Sequence, residues 1–323
     1  MRLVYLGDGP WAHQALDRLL TDPDVEIACI VPRFETQDPG LRRRAETNRI
    51  DFVPIRDINT TAALELLKGY EPDLLVSMSF DQILRRAILA LCPSGAINCH
   101  AGALPFYRGR NVLNWALING EDEFGVTAHF IDEGIDTGDI ILQRKAPISI
   151  HDTYATLLAR AAELCGLVVH EAVRLIADHD VQRTAQSSIH PVGFYTGRRL
   201  PGDEWIDWNW TSQRIYNFVR AITDPGPCAR TMVDGAELKV VKAALIPEAP
   251  TYLGTVGEVV GRDGGTLHVK SGDSTIALTE IRGEPPAKLR IGSRFHSPPD
   301  PRVTELEHRI ERLERAIEGR GDA

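Results

Sequence analysis

The sequence of 323 residues lacks any apolar run approaching the roughly 20 residues that a membrane-spanning helix needs. Its first seven residues are typical of a strand rather than of a signal peptide. The five cysteines form an odd, scattered set without CxxC spacing, which argues against a disulfide framework and a structural zinc site. We therefore expect a soluble, cytoplasmic protein that neither enters a membrane nor requires a metal.

Positive charge is also in short supply. With 36 Lys and Arg against 45 Asp and Glu, the formal net charge is −9, so the field of the whole protein repels polyphosphate chains. The three consecutive arginines at 42–44 lie on a predicted surface helix, where a solvated face is the simpler interpretation. The charge balance therefore weighs against nucleic acid as a partner.

The first half of the chain alternates short apolar runs with amphipathic segments, which is a βαβ rhythm. Strands are predicted at 3–6, 25–31, 51–54, 74–77, 96–99, 126–131 and 140–145, and helices at 11–20, 62–67, 82–91 and 154–176. This pattern predicts an α/β fold with a Rossmann-like, open, mainly parallel sheet. Ligands of such sheets lie beyond the carboxyl ends of the strands, so we expect the chemistry after Ser77 and after Cys99.

The second half has a different character. After a predicted helix at 211–222, five short strands separated by Gly-rich turns predict a small OB-like β-barrel, at 229–233, 238–242, 254–260, 266–270 and 275–279. We divide the chain into a first domain at 1–187, a linker and C-terminal domain at 188–300, and a short coiled-coil helix at 301–323.

The last segment carries an apolar heptad pattern. Its a and d positions are Val303, Leu306, Ile310, Leu313 and Ile317. About three heptads are too short for a stable lone helix, so the stripe must pack on the body of the protein or on a partner chain. We favour a coiled coil in a homodimer.

A glycine-containing turn, Gly7-Asp8-Gly9-Pro10, follows the first strand. It lacks the third glycine of a dinucleotide-binding fingerprint, which favours a tight turn that caps a helix. Such a turn beside a strand end can still contact a ligand, so Gly9 is a candidate substrate-binding residue.

Three polar residues stand out around the fifth strand and beyond it. Asn98 and His100 alternate on one face of a strand end, so both can point at the same ligand atom. An Asn amide can stabilise an oxyanion, and a His beside a carboxylate can accept the proton of an attacking amine. Asp136 can fix the tautomer of His100 or raise its pKa. Each residue alone has a structural explanation, but the ordered set is specific.

That ordered set, Asn-x-His, then Leu-Pro-x-x-Arg-Gly, then Asp-x-Gly, resembles the signature of the formyltetrahydrofolate-dependent formyltransferases. The resemblance implies a catalytic set of Asn98, His100 and Asp136, with N10-formyltetrahydrofolate as co-substrate. It also implies a pterin slot, bound largely through backbone groups, whose residues here are Met78, Phe80, Gln82, Ile83 and Leu84 in one loop and Asp132, Gly134 and Asp136 in another.

The resemblance leaves the acceptor amine open. Residues 198–208 and 215–227 are similar to the linker and C-terminal barrel of methionyl-tRNA formyltransferase. Through Arg-Arg-x-Pro-x-Asp at 198–203 they are closer to the formyltransferase half of the bacterial enzyme that modifies 4-amino-4-deoxy-arabinose for lipid A. The methionyl-tRNA branch carries a long basic loop after the second strand, whereas 32–40 is short and nearly charge-balanced, and tRNA binding gains from many phosphate contacts.

We therefore expect a nucleotide-linked 4-amino-4-deoxy sugar as acceptor, in the biosynthesis of a surface polysaccharide such as the O-antigen of lipopolysaccharide. Methionyl-tRNA is the alternative, followed by another small amine such as hydroxyornithine. Arg108 and Arg110 are candidates for binding the pyrophosphate of the sugar nucleotide. Arg108 has an equally simple structural role, in which it ties its loop to the sheet. A folate-binding relic without activity is disfavoured because Asn98, His100 and Asp136 are all present.

Overall fold

The computed structural model describes residues 1–285 and 287–298, together with Leu306, Arg309, Ile310 and Arg312. Within this described part, no helix is long and apolar enough to cross a membrane. The chain divides into two compact units, Met1–Arg199 and the residues from Leu200 onward. The domain boundary after residue 187 and the other proposed limits stay predictions.

The heptad segment is only partly described. Leu306 and Ile310 are helical and exposed, whereas Val303, Leu313 and Ile317 lie outside the described residues. The coiled coil at 301–323 and its use in a homodimer therefore stay predictions.

The first unit alternates strands with helices. Its strands are β1 (Arg2–Gly7), β2 (Glu26–Pro32), β3 (Asp51–Phe52), β4 (Leu74–Met78), β5 (Ala96–His100), β6 (Arg108–Gly109), β7 (Glu123–Phe130), β8 (Ile140–Pro147) and β9 (Tyr195–Thr196). Its helices are α1 (Gly9–Leu19), α2 (Pro39–Asn48), α3 (Thr61–Lys68), α4 (Arg86–Leu89), α5 (Val112–Asn119), α6 (Tyr154–Ala177) and α7 (Gln186–Ile189).

Seven of these strands form one sheet in the order β3-β2-β1-β4-β5-β7-β8. The pairs from β3 to β5 are parallel, which confirms the mainly parallel α/β fold. The sheet is nevertheless mixed, because β7 runs antiparallel to both β5 and β8. The strand order reverses between β1 and β4, so the ends of β1, β4 and β5 frame the crevice where such folds bind ligands.

The central strands are apolar on both faces because helices cover both sides of the sheet. Every residue of β4 is buried, as are five of the six residues of β1. On one face α6 packs against α1, and Gly166 permits this approach since a Cβ there would lie 3.1 Å from the carbonyl oxygen of Gln14. On the other face, α3 and α4 contribute Leu67 and Ile88 to a continuous apolar cluster.

The helix predicted at 82–91 is shorter in the structure and spans only Arg86–Leu89. The side chain of Gln82 accepts a hydrogen bond from the amide of Ile58 and donates one to the carbonyl of Ile55. The amide of Arg85 is bound by the side-chain oxygen of Asn59. These bonds hold residues before Arg86 in a loop instead of a helix.

The second unit contains α8 (Ser212–Ile222) and the strands β10 (Ala229–Val233), β11 (Ala236–Leu245), β12 (Val259–Asp263), β13 (Thr266–Lys270) and β14 (Thr275–Arg282). They form an antiparallel sheet in the order β10-β11-β14-β13-β12. The strand predicted at 254–260 begins only at Val259. Gly257 has φ +77°, and a Cβ there would lie 2.0 Å from the carbonyl oxygen of Phe295, so this stretch is not a regular strand.

Candidate active site

The polar residues predicted after the fifth strand lie together at its carboxyl end. Asn98 pairs with Ser77 of β4 and with His129 of β7, and His100 is the last residue of β5. His100 is buried, at 9% exposure, and Asn98 is half-buried. Asp136 approaches them from the loop after β7, so the structure brings the three predicted catalytic residues into one cluster.

His100 is held in one tautomer by a backbone carbonyl. Its Nε2 lies 2.6 Å from the carbonyl oxygen of Tyr107, which can only accept, so Nε2 carries the hydrogen. The lone pair of the neutral ring is then on Nδ1, which lies 3.6 Å from Oδ2 of Asp136. Any proton that His100 accepts must therefore go to Nδ1, beside a carboxylate.

Burial lowers the pKa of His100, and the nearby His129 lowers it further. The charge of Asp136 and the bond to Tyr107 raise the pKa, but the net value stays below the ordinary 6.5. The imidazole is consequently neutral at neutral pH and can act as a base.

Asp136 is fixed in an uncommon conformation. Its backbone has φ +54°, in the left-handed region, and its Oδ2 accepts a 2.8 Å hydrogen bond from the amide of Gly109. Burial raises the pKa of Asp136, but interactions with His129, His100 and the Gly109 amide outweigh burial and bring the pKa to about 2. The group is therefore a carboxylate at neutral pH.

His129 belongs to the same cluster, although the sequence analysis did not single it out. Its Nε2 lies 3.2 Å from Nδ2 of Asn98 and 3.6 Å from Oδ1 of Asp136. Its Nδ1 donates to the carbonyl of Phe130 at 2.7 Å, and Nδ2 of Asn98 can donate to Nε2 when that nitrogen carries no hydrogen. The available signal was a histidine in the mostly apolar strand predicted at 126–131.

The three predicted substrate-binding residues have different environments. Arg108 is buried, and its guanidinium binds Oε1 of Gln186 and the carbonyl of Val192, which favours its structural alternative. The side chain of Arg110 is exposed. Gly9 has φ +72° at the start of α1, and its amide donates to Oδ2 of Asp38 at 2.6 Å.

The first predicted pterin loop follows β4. The side chains of Met78 and Leu84 are buried, and both ends of the Gln82 amide are bound to the 55–58 segment. Phe80 is half-buried against the apolar cluster that contains Leu84, and Ile83 is 66% exposed. The loop therefore offers a ligand mainly its backbone, with the side chains of Phe80 and Ile83.

The second predicted pterin loop is a turn held by its own side chains. Oδ1 of Asp132 accepts from the amide of Gly134 at 3.0 Å and from the hydroxyl of Thr137 at 2.5 Å. A Cβ on Gly134 would lie 2.0 Å from that hydroxyl oxygen, so only glycine fits. Ile131, at the start of this loop, packs against the same apolar cluster as Phe80, which gives the two loops a common base.

A cavity of about 170 Å³ begins at residues 101–103, directly after His100. Its walls combine the aromatic side chains of Phe106, Tyr107, Phe124 and Phe194 with the charged side chains of Glu121, Glu123 and Lys145. In the described part of the chain, no group of three or more His, Cys, Asp or Glu side chains is arranged to hold a metal ion.

Comparison with protein families gives two matches that together span most of the chain. Residues 1–173 match the formyl transferase family, and residues 200–296 match the formyl transferase C-terminal domain.

Individual relatives extend over nearly the whole chain. The methionyl-tRNA formyltransferase of Pelotomaculum thermopropionicum is 32% identical over 311 residues, covering 93% of this chain and 97% of that protein. The methionyl-tRNA formyltransferase of Geobacter sulfurreducens is 30% identical over 307 residues, covering 91% and 95%. The crystal structure of an N-formyltransferase from Helicobacter canadensis with folinic acid and dTDP-3-aminofucose is similar with a TM-score of 0.66, covering 87% of this chain and 99% of that one. At 22% identity, that likeness concerns the fold.

Proposed function

Since this chain belongs to the formyl transferase family and is a formyltransferase, we propose that it moves a formyl group from N10-formyltetrahydrofolate to a primary amine at the Asn98–His100–Asp136 cluster. The observation that carries the proposal is the open Nδ1 of His100, which lies 3.6 Å from the carboxylate of Asp136. A neutral imidazole beside a carboxylate can act as a general base.

Each residue of the cluster has one task in this proposal. His100 accepts the amine proton on Nδ1, because its Nε2 hydrogen is bound by Tyr107. Asp136 stabilises the imidazolium that results, through its negative charge. When the bond from the formyl carbon to N10 breaks, this proton would pass from His100 to N10, so that tetrahydrofolate leaves as a neutral amine. Asn98 uses one amide hydrogen for Nε2 of His129, which leaves the second amide hydrogen for the developing oxyanion.

N10-formyltetrahydrofolate supplies the activated formyl group when it is bound. The loop after β4 and the loop from Asp132 to Asp136 would hold its pterin. The side chains of Met78 and Leu84 are buried, and the amide of Gln82 is bound to the 55–58 segment. This supports the assignment because it leaves the backbone of the loop to recognise the ring. Recognition through the backbone requires fixed loops, and both loops are fixed by side-chain hydrogen bonds.

Methionyl-tRNA is the first candidate acceptor. The relatives that cover about nine-tenths of the chain are methionyl-tRNA formyltransferases, and they reverse the order that the sequence analysis gave to the two acceptors. The cavity that begins at residues 101–103 supports this candidate, because the four aromatic side chains in its wall could contact the thioether of a methionine.

A nucleotide-linked amino sugar is the second candidate, and a specific observation favours it. Only six residues, 33–38, connect β2 to α2, and they are held locally. Arg33 donates to the carbonyl of Ser79 and lies 3.6 Å from Asp8, and Thr36 also binds Asp8. This connection therefore offers little free positive charge for a tRNA backbone, in agreement with the net charge of −9.

One assay separates the candidates. Purified protein with N10-formyltetrahydrofolate is offered methionyl-tRNA and, separately, a panel of nucleotide-linked 4-amino sugars, and the formylated product is identified by mass. Formyl-methionyl-tRNA is the expected product, and the His100→Ala variant should form far less of it. Formylated sugar without formyl-methionyl-tRNA would overturn the first candidate and support the second. Formylation of neither would contradict both acceptor assignments.

A further inference from the structure

A buried side-chain network lies directly behind Asp136. Gln186 is the first residue of α7 and is only 3% exposed, although it lies directly before the domain boundary predicted after residue 187. Its Nε2 donates to two backbone carbonyls of the loop at 131–139 between β7 and β8, which we call the Asp136 loop. These are the carbonyls of Asp136 and Gly138, both at 2.8 Å. One side-chain amide thus clamps the loop on either side of Thr137.

The other end of Gln186 is anchored by an arginine. Oε1 of Gln186 accepts from both Nε and Nη2 of Arg108, at 3.0 and 2.7 Å, a forked contact that fixes the plane of the amide. Both atoms of the Gln186 amide are therefore used, and a rotation of the amide would break all four bonds.

The network is also connected to the carboxylate of Asp136. Arg108 precedes Gly109, whose amide binds Oδ2 of Asp136. The Asp136 loop is thus held to the 108–109 segment twice, once through the side chains of Gln186 and Arg108 and once through its own carboxylate. A left-handed φ at a non-glycine residue is unfavourable unless surrounding contacts stabilise it. At Asp136 these hydrogen bonds provide that stabilisation.

We propose that Gln186 and Arg108 are positioning residues, which hold the carboxylate of Asp136 toward Nδ1 of His100. This inference rests on the proposed function, because it assigns the two residues to the same reaction. It also gives Arg108 a task other than binding a pyrophosphate. Loss of the clamp lets the Asp136 loop relax, and a displacement of about 1 Å in a catalytic group can cost about 100-fold in rate.

The test uses Gln186→Met, which preserves size and neutrality while removing all four hydrogen bonds. The matched control is Trp115→Phe, which removes a 3.1 Å bond from Trp115 Nε1 to the carbonyl of Gly197 without touching the Asp136 loop. The pKa of the His100 imidazole is followed by NMR in both variants. Asp136 and His129 are the titratable groups that face His100, so this pKa reports the position of Asp136.

We expect Gln186→Met to lower the His100 pKa below the wild-type value and to reduce kcat by about 10- to 100-fold, with a smaller change in KM. Trp115→Phe should match wild type in both. A folded Gln186→Met protein with wild-type kcat and wild-type His100 pKa would overturn the inference.

If Gln186→Met does not fold, Arg108→Lys provides the same test, because it keeps the charge and loses the fork. It should shift the pKa and kcat in the same direction by a smaller factor, and wild-type values would overturn the inference. The NMR titration needs no substrate, so it decides this inference even when every acceptor fails and the proposed function is wrong.

Discussion

Both units of the protein bury polar side chains, but they use them differently. In the second unit, the Thr231 hydroxyl accepts from Trp208 and donates to the carbonyl of His296, and Nζ of the buried Lys270 donates to the carbonyl of Ser271. In the first unit, His100 is buried and Asp136 is half-buried, yet Nδ1 of His100 and Oδ2 of Asp136 lie 3.6 Å apart without a hydrogen bond between them. Buried polarity that is satisfied internally stabilises a fold, whereas a buried base left open can react.

The largest expected effect comes from removing the open base of the first unit, His100. His100→Ala should lower kcat by about 10²- to 10⁴-fold, the usual contribution of a general base. Steady-state kinetics with the formyl donor measure the effect, and circular dichroism checks that the fold is intact. Near-normal turnover in a folded His100→Ala protein would remove His100 from its role.

Asp136→Asn tests the charge separately from the hydrogen bond, since the amide oxygen can still accept from Gly109. The charge of Asp136 raises the pKa of His100, so its loss should lower that pKa further. The acid limb of the pH–rate profile should then move to lower pH, while the plateau falls by about 10²-fold. An acid limb at the wild-type position would mean that another group controls the profile.

The sequence predicted the cluster of Asn98, His100 and Asp136 because local order in the chain carries it. It did not reveal His129 or Gln186, whose importance depends on pairing between β5 and β7 and on a loop that returns from distant sequence. The sequence predicts a linker that begins at residue 188. In the structure, Tyr195–Thr196 form β9, which pairs with β6 beside the cluster.

Acid titration measures how much the charge of Asp136 contributes to the stability of the fold. The pKa of Asp136 is about 2 in the folded protein and near 3.8 when unfolded, so its contribution is present above pH 3.8 and is lost as the pH falls toward 2. It amounts to about 2 kcal/mol of unfolding free energy. Asp136→Asn should flatten the loss of stability between about pH 4 and pH 2 by that amount. Urea unfolding at a series of pH values measures the free energy of unfolding of both proteins. The same dependence of that free energy on pH in the two proteins would refute the assignment.

The smallest expected effects on kcat lie in the second unit. Trp208→Phe removes one hydrogen bond to Thr231 and should cost about 0.5–1.5 kcal/mol of stability. Thr231→Val should cost more, about 1–3 kcal/mol, because it leaves the indole N–H of Trp208 buried without that partner. Both variants should keep wild-type kcat. A kcat loss comparable to that of Asp136→Asn would show that the second unit takes part in the chemistry.

The central claim is that His100 is a neutral base with its lone pair on Nδ1, directed at Asp136. Nitrogen-15 NMR of the imidazole at pH 7 tests it most directly, because the chemical shifts of the two ring nitrogens identify the tautomer. The structure predicts a protonated Nε2 bound by Tyr107 and an unprotonated Nδ1. A hydrogen on Nδ1 at pH 7, in either the neutral or the charged ring, would contradict the account.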